Sequence, residues 1–330
     1  MNKSFIIYIG VILFLSACDI DKDKIHSYNE WPEEKPLNAD SVPVQVPYDY
    51  VYITTYDDYL IVSSFQADTM LHVYSTPNLN YLFGGAVKGH SVTEFSSYPT
   101  FCESNGSKLF IRGHTPYIMR DYGIDETGFY LKNEYKLRLN STPNNMHIVH
   151  DSLLYYMDFD EHSIKKYNVK KQKELLSKHI SSNLPKTSSV IDVDKGCFAT
   201  NNTTAMYAYQ YKKEIEVFNT NDISKRFRIK WEHENQSELI NSNNVDDVII
   251  HYTGNIATKR FFYMLHRGFK PHDRTRLSHI EVYDNSGVPL IKFNLDKKLF
   301  SFAVDEKNGF FYGFGPNDEF IYRFKYDIPK

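Results

Sequence analysis

Cysteine, tryptophan and long apolar runs are all scarce in this chain. Its 330 residues hold 3 Cys and 2 Trp, which excludes a disulfide-stapled scaffold, and no two cysteines stand at zinc-site spacing. The longest apolar run, Phe5 to Leu15, is about eleven residues, whereas a membrane-spanning helix needs about twenty. Neither sign of charge dominates: 38 Lys+Arg against 41 Asp+Glu gives a formal net charge of −3. A nucleic-acid partner would want a basic face, so none is expected. Helical periodicity is nearly missing past Val42. No G-x-S-x-G elbow occurs, and no Ser/His/Asp set can be picked out of 13 histidines. What the chain does have is aromatic residues, with 26 Tyr and 23 Phe making up most of a 15% share. Such side chains suit pleated, half-buried surfaces.

The first residues read MNKSFIIYIGVILFLSAC. Lys3 supplies a positive start, the apolar run has the length of a signal-peptide core, and Leu15-Ser16-Ala17-Cys18 closes it. That ending resembles the lipobox of bacterial lipoproteins, which implies cleavage before Cys18 and a lipid on its thiol. Two or three acyl chains anchor a protein stably where one is marginal. Residues 18–40 are polar and acidic, with Pro32 and Pro36, and read as a flexible tether with an rms reach of roughly 25 Å. We therefore divide the chain into a signal peptide (1–17), a tether (18–40) and a folded region (41–330). The expected location is the cell envelope, held on the outer membrane, with periplasmic and surface-exposed sides both open. Asp19-Ile20-Asp21-Lys22-Asp23 resembles the acidic surface-export signal of some Bacteroidota lipoproteins.

Beyond Val42, short runs of Val, Ile, Leu, Tyr and Phe alternate with polar residues and end at Asp, Asn, Gly, Ser or Pro. Lys170 to His179 is the best helical candidate, and it reads equally as a turn and an outer strand. The runs recur in pairs. With Leu60, Leu109, Leu154, Phe198, Phe262 and Phe311 as markers, the steps are 49, 44, 44, 64 and 49. Most match the 40–50 residues or so of a four-stranded propeller blade. The long step holds two additions, Glu232 to Asn244 and Arg267 to Ser278. The fold expected is all-β: a six-bladed β-propeller closed by an N-terminal strand, Val42 to Val46, in the last blade, since closing the ring removes exposed edges. On that fold Cys102 and Cys197 lie on different blades and should stay unbridged.

The lipobox, the acidic stretch and the six-unit repeat together resemble the TolB-like six-bladed propeller lipoproteins of Bacteroidota. Members of that group carry a glycine-rich turn, G-x-x-G-x-G-P-x-E-F, after the first blade. Here Gly85, Gly89, Glu94 and Phe95 fit it, while its later glycine and its proline give way to Ser91 and Val92. The resemblance implies the fold and an envelope location, and no defined biochemical role. No helix N-terminus follows the turn to aim amides at a phosphate, so it reads as a blade-to-blade connection.

His147 and His150 fall on opposite faces of a strand and cannot share an ion. Asp57-Asp58 and Asp246-Asp247 diverge in the same way and read as turn residues. The most suggestive segment is the fifth-unit insertion, carrying His266, Arg267, Lys270, His272, Asp273, Arg274, Arg276 and His279. Such a loop has the chemistry to bind an anion or a metal, although a solvated loop is the plainer reading. No cofactor and no specific metal site is expected. The function expected is a non-enzymatic binding or scaffolding module for a protein or glycan. The alternative is a propeller hydrolase or lyase with a metal in the central channel. These two readings part on the channel lining: convergent Glu, Asp, Asn and His favour the enzyme, whereas Tyr, Phe and lone charges favour binding.

Overall fold

The computed structural model describes residues 24–44, 49–65, 68–89, 94–96, 98–104, 108–113, 117–150, 152–186, 191–232, 244–273, 275–315 and 319–327. Cys18, the expected signal peptide, Gln45 and Val46 of the expected closing strand, and Arg274 lie outside them.

Three short strands come first: β1 (Ile25–Tyr28), β2 (Glu34–Leu37) and β3 (Asp40–Pro43). Blade 1 follows as β4 (Tyr50–Tyr56), β5 (Tyr59–Ser64), β6 (Thr69–Ser75) and β7 (Tyr81–Val87). Blade 2 holds β8 (Thr100–Cys102), β9 (Leu109–Arg112), β10 (Ile118–Asp125) and β11 (Gly128–Lys136). Blade 3 holds β12 (Pro143–Val149), β13 (Leu153–Asp158), β14 (Ser163–Asn168) and β15 (Lys173–His179). Blade 4 is β16 (Gly196–Thr200), β17 (Thr204–Tyr209), β18 (Glu214–Asn219) and β19 (Lys225–Trp231). Blade 5 is β20 (Ile250–Ala257), β21 (Phe261–Phe269), β22 (His279–Asp284) and β23 (Pro289–Leu295). Blade 6 is β24 (Ser301–Asp305), β25 (Phe310–Phe314) and β26 (Phe320–Lys325), completed by β3. One 3₁₀ turn, Val245–Asp247, is the one helical element among the described residues. The segment from Lys170 to His179 is a turn leading into the outer strand β15.

The expected closure is present. β3 pairs antiparallel with β26, Val42 opposite Ile321, so the N-terminal strand and the last strand share one sheet. It begins two residues earlier than Val42, and Val44 then donates its amide to the Glu319 carbonyl at 2.8 Å. Of the six markers, five sit on the second strand of their blades. Phe198 sits on the innermost strand β16 instead. Moving that marker to Met206 on β17 turns steps of 44 and 64 into 52 and 56, which removes the apparent irregularity.

Burial follows position in the blade. Second and third strands are sandwiched between neighbouring blades, so β5, β17 and β18 are buried almost throughout and need no polar face. Outer strands of blades 1–3 face water: every residue of β15 is exposed. Lys173, Glu174 and Lys178 there discourage pairing with another chain.

The tether expected across residues 18–40 is corrected by this structure from Lys24 onward. β1 adds in parallel to the outer edge of blade 4, Ile25 opposite Arg228 and Tyr28 opposite Trp231. β2 adds in the same way to blade 5, Glu34 opposite Lys292. With β3 in blade 6, one N-terminal belt covers three consecutive blade edges. Pro32 and Pro36 do not prevent this, because an added edge strand leaves one side of its backbone unpaired. Trp31, between β1 and β2, stacks on Trp231 with centroids 4.3 Å apart.

Candidate functional site

The six innermost strands surround a central channel. Its wide part, about 690 Å³, is lined at or near their first residues by Tyr52, Thr100, Pro143, Gly196, Ile250 and Ser301, one from each blade. A narrower space of about 70 Å³ is lined by Thr55, Cys102, Ala257 and Val304, near the strands' other ends. The wide mouth thus opens where the inner strands begin.

Aromatic side chains gather at this mouth. Tyr52 and Tyr98 stack at 6.3 Å, and Phe65 meets Tyr98 at 5.1 Å. Phe159 and Phe300 line the mouth from blade 3 and just before blade 6, and are 42% and 51% exposed. Exposed rings around a concavity bind ligands more often than they pack a monomer.

Arg112 is buried, with Nε donating to Thr100 Oγ1 at 3.2 Å and Nη1 to the Pro143 carbonyl at 2.9 Å. Desolvation lowers its pKa, and no carboxylate pairs with it among the described residues. Arg267, half-buried across the mouth, lies 5.0 Å from the Phe269 ring, and burial likewise lowers its pKa. Among the described residues Glu103 is the single carboxylate lining either space. Its backbone is locked between blades, its amide donating to the Met146 carbonyl and its carbonyl accepting from Ile148, both at 2.8 Å. Desolvation pushes its carboxyl up to about 7. His147 is buried, its Nε2 is 2.9 Å from the Phe198 carbonyl, and burial drives its pKa down to about 4. The described lining therefore brings no cluster of carboxylates and imidazoles to the axis, and no group of three or more such ligands forms elsewhere among the described residues. Cys102 and Cys197 are buried free thiols on different blades. Burial raises both pKa values, Cys197 to about 12.

The fifth-unit insertion comes apart into separate environments. His266 and His279 are strand residues rather than loop residues, facing each other across β21 and β22 with rings 5.3 Å apart. His251, from β20, joins them: its Nδ1 is 3.2 Å from His266 Nε2. Arg267 points to the channel and to a second cleft beside it, which Arg276 also lines. Lys270, His272 and Asp273 stay on the outside. His272 Nε2 meets Asp246 Oδ2 at 2.8 Å, and Asp273 Oδ1 accepts from the Thr275 amide and hydroxyl at 2.9 and 2.7 Å. The sequence reading missed Tyr52, Tyr98, Glu103, Arg112, Phe159 and His251. Their signal is positional: Tyr52, Tyr98, Glu103 and His251 lie at or near an end of an inner strand, which the paired-strand markers passed over, and Arg112 and Phe159 lie at or just past the end of a second strand.

Beneath the histidines lies a sealed ion pair. Lys213 Nζ and Glu281 Oε1 are 3.0 Å apart and both side chains are fully buried. Glu281 Oε2 accepts from the hydroxyls of Tyr252 and Tyr283, each at 2.9 Å. A pair so satisfied is a structural element, costly to break from one side.

Residues 90–93 of the glycine-rich turn lie outside the described residues, and Gly85, Gly89, Glu94 and Phe95 are described. Gly89 donates to the Phe95 carbonyl at 3.1 Å, and a Cβ on Gly89 would collide with the Glu94 carboxylate. The turn leads on to β8, as read from the sequence.

Six blades around one axis, closed by the N-terminal strand, define a six-bladed β-propeller with a central channel. Family comparison agrees: the TolB-like 6-blade propeller-like family model matches residues 27–307, and the chain belongs to that family. Among solved structures, a protein of Bacteroides fragilis NCTC 9343 described as exported is similar, with TM-score 0.55, 13% identity, and 93% of this chain and 100% of that one covered. Raptor of Chaetomium thermophilum is similar at TM-score 0.54 and 8% identity, over 92% of this chain and 30% of that one. U3-55K gives TM-score 0.51 and 8% identity, over 86% of this chain and 100% of that one. These likenesses speak for the fold alone. No curated protein matches the sequence.

Proposed function

We propose that this protein is a non-enzymatic, lipid-anchored binding module of the cell envelope, taking a glycan partner at the wide mouth of its channel. The carrying observation is the mouth itself: about 690 Å³, ringed by Tyr52, Tyr98, Phe159 and Phe300, with Arg112 and Arg267 and, among the described residues, one carboxylate. Aromatic faces with a few fixed polar groups suit sugar rings, and the volume falls within the range of ligand pockets. The hydrolase or lyase alternative needs convergent metal donors. Among the described residues the mouth offers one carboxylate, Glu103, with His147 engaged by a carbonyl and the neutral amides of Asn144, Asn145 and Asn255, a weak donor set for a metal.

Anchoring through Cys18 on the outer membrane rests on the lipobox-like Leu15-Ser16-Ala17-Cys18. Two measurements test the reading. Binding to an oligosaccharide panel should weaken about tenfold or more in the Tyr98→Ala and Phe159→Ala variants, since stacked rings carry much of such affinity. Binding that both variants leave unchanged, or selective binding of a protein from the same envelope, defeats the glycan reading. Cys18→Ala should move the protein from the membrane to the soluble fraction, and retention there defeats the anchor.

A further inference from the structure

We propose that the cleft at the mouth-side end of blade 5 is an oxyanion site, taking a sulfate, phosphate or carboxylate group of an acidic ligand. The cleft is about 520 Å³ and is lined by His251, His266, Arg267, Arg276, His279 and Asn294, with no carboxylate in its wall among the described residues. Four strands place these residues at one end of the blade: β20 starts there, β21 ends, β22 starts and β23 ends.

Two observations point to an anion. Arg267 is half-buried, with no carboxylate or carbonyl partner among the described residues, and burying a cation without a counter-ion is costly. His251 is buried, with Nδ1 spent on His266 Nε2 at 3.2 Å while Nε2 has no partner. Nearby acids are engaged by other groups, and Glu281 also lies below the cleft floor, its Oε1 3.6 Å from His266 Nδ1. Glu281 is sealed below by Lys213 and two tyrosines, Glu34 meets Lys292 at 2.9 Å and Asn294 at 3.1 Å, and Asp273 caps its own turn. Arg276 is poised at the rim, 3.7 Å from Asp273 and 3.2 Å from the Gly268 carbonyl. Gly268 itself is required, with φ +68°, and a Cβ there would come within 2.8 Å of the His266 ring. Guanidinium groups match oxyanions in shape as well as charge.

Arg267 lines this cleft and the channel mouth alike, so an anionic group seated here leaves the rest of its ligand across the aromatic rim. The site can be tested without knowing what fills the mouth. Inorganic sulfate and inorganic phosphate would be titrated calorimetrically into the full chain at fixed ionic strength. Saturable binding should weaken about tenfold in both Arg267→Gln and Arg276→Gln, as for loss of a charge-assisted hydrogen bond. Arg260→Gln, at the opposite end of blade 5, should stay within about twofold, the scale of an exposed charge. A sulfated disaccharide and glycerol phosphate, run side by side, distinguish a glycan from a lipid headgroup as the source. Absence of saturable heat, or equal loss in all three variants, overturns the proposal. Arg276 is exposed, so its variant folds even where Arg267→Gln does not.

Discussion

Trp31 lies flat on Trp231, centroids 4.3 Å apart and planes 18° from parallel, and the two rings roof the buried Lys213–Glu281 pair. Lys213 Nζ sits 4.9 Å from the Trp231 ring, and Trp231 Nε1 donates to the Tyr283 hydroxyl at 3.3 Å. The upper tryptophan comes from the belt, the lower from blade 4, and Tyr283 from blade 5. One stacked contact therefore joins three pieces of chain.

Trp31→Ala should cost about 3–5 kcal/mol, the range for emptying a buried aromatic site, and should admit water above the ion pair. Urea unfolding followed by fluorescence checks it, with Trp231 alone reporting a red shift in the native state. A loss under about 1 kcal/mol would show that the belt merely rests on the ring.

Acid should unfold the protein early. His72 and His147 are buried with pKa values near 4, His251 near 3, and His266 is held well below its ordinary 6.5, desolvation being the first cause in each case. A lowered folded pKa means the unfolded chain takes up more protons, so stability is full above about pH 6.5 and falls as pH drops toward 4. At pH 4.5 each such group costs about 2–3 kcal/mol. Four of them rival the 5–15 kcal/mol or so of a typical domain. Circular dichroism across pH 7 to 3.5 should show cooperative loss of structure above about pH 4. Persistence of the native signal at pH 3.5 contradicts this.

Glu103 acts with the opposite sign. Its carboxyl is raised to about 7, first by desolvation, so the folded state holds the proton longer. The stability it lends is present below about pH 4.5 and disappears as pH rises through 7. Glu103→Gln should therefore stabilise the protein at pH 8 by about 2 kcal/mol and leave it unchanged near pH 4.5. Melting curves at the two pH values decide it, and equal shifts at both would locate the effect in packing instead.

The ring was legible in the sequence because second and third strands are buried on both faces. Runs such as Tyr59-Leu60-Ile61-Val62 announce themselves by composition, and their spacing gives the blade. Inner strands were harder to find. β8 has three residues and β16 begins at a glycine, so Cys197-Phe198-Ala199 passed for a second strand. The candidate loop was half legible: Arg267 and Arg276 do face a cleft, but His266 and His279 belong to strands. Their partner His251 stands 15 residues upstream of His266 and meets it by cross-strand pairing alone. The belt was not legible at all. Glu34-Lys35-Pro36-Leu37 has the composition of a linker, and its pairing energy comes from β23's open edge, which no local pattern records.

That belt changes how the lipid we propose on Cys18 would hold the ring. A tether of about twenty residues becomes six, since only residues 19–24 separate Cys18 from β1. Fully extended, the span from Cys18 to Ile25 covers at most about 25 Å. It leaves from the outer edge of blade 4, so blade 4 should lie nearer the bilayer than blade 1 across the ring. The native thiols at Cys102 and Cys197 are buried with raised pKa values, which leaves engineered cysteines free for selective labelling. A dye at Asn221→Cys, in the turn before β19, should transfer energy to a bilayer acceptor more efficiently than one at Leu82→Cys on β7. A Gly-Ser spacer of about fifteen residues inserted after Lys22 should erase the difference, because a flexible chain of that length reaches about as far again on average. Equal transfer from the two labels in the unmodified protein would mean that the short leader does not orient the ring.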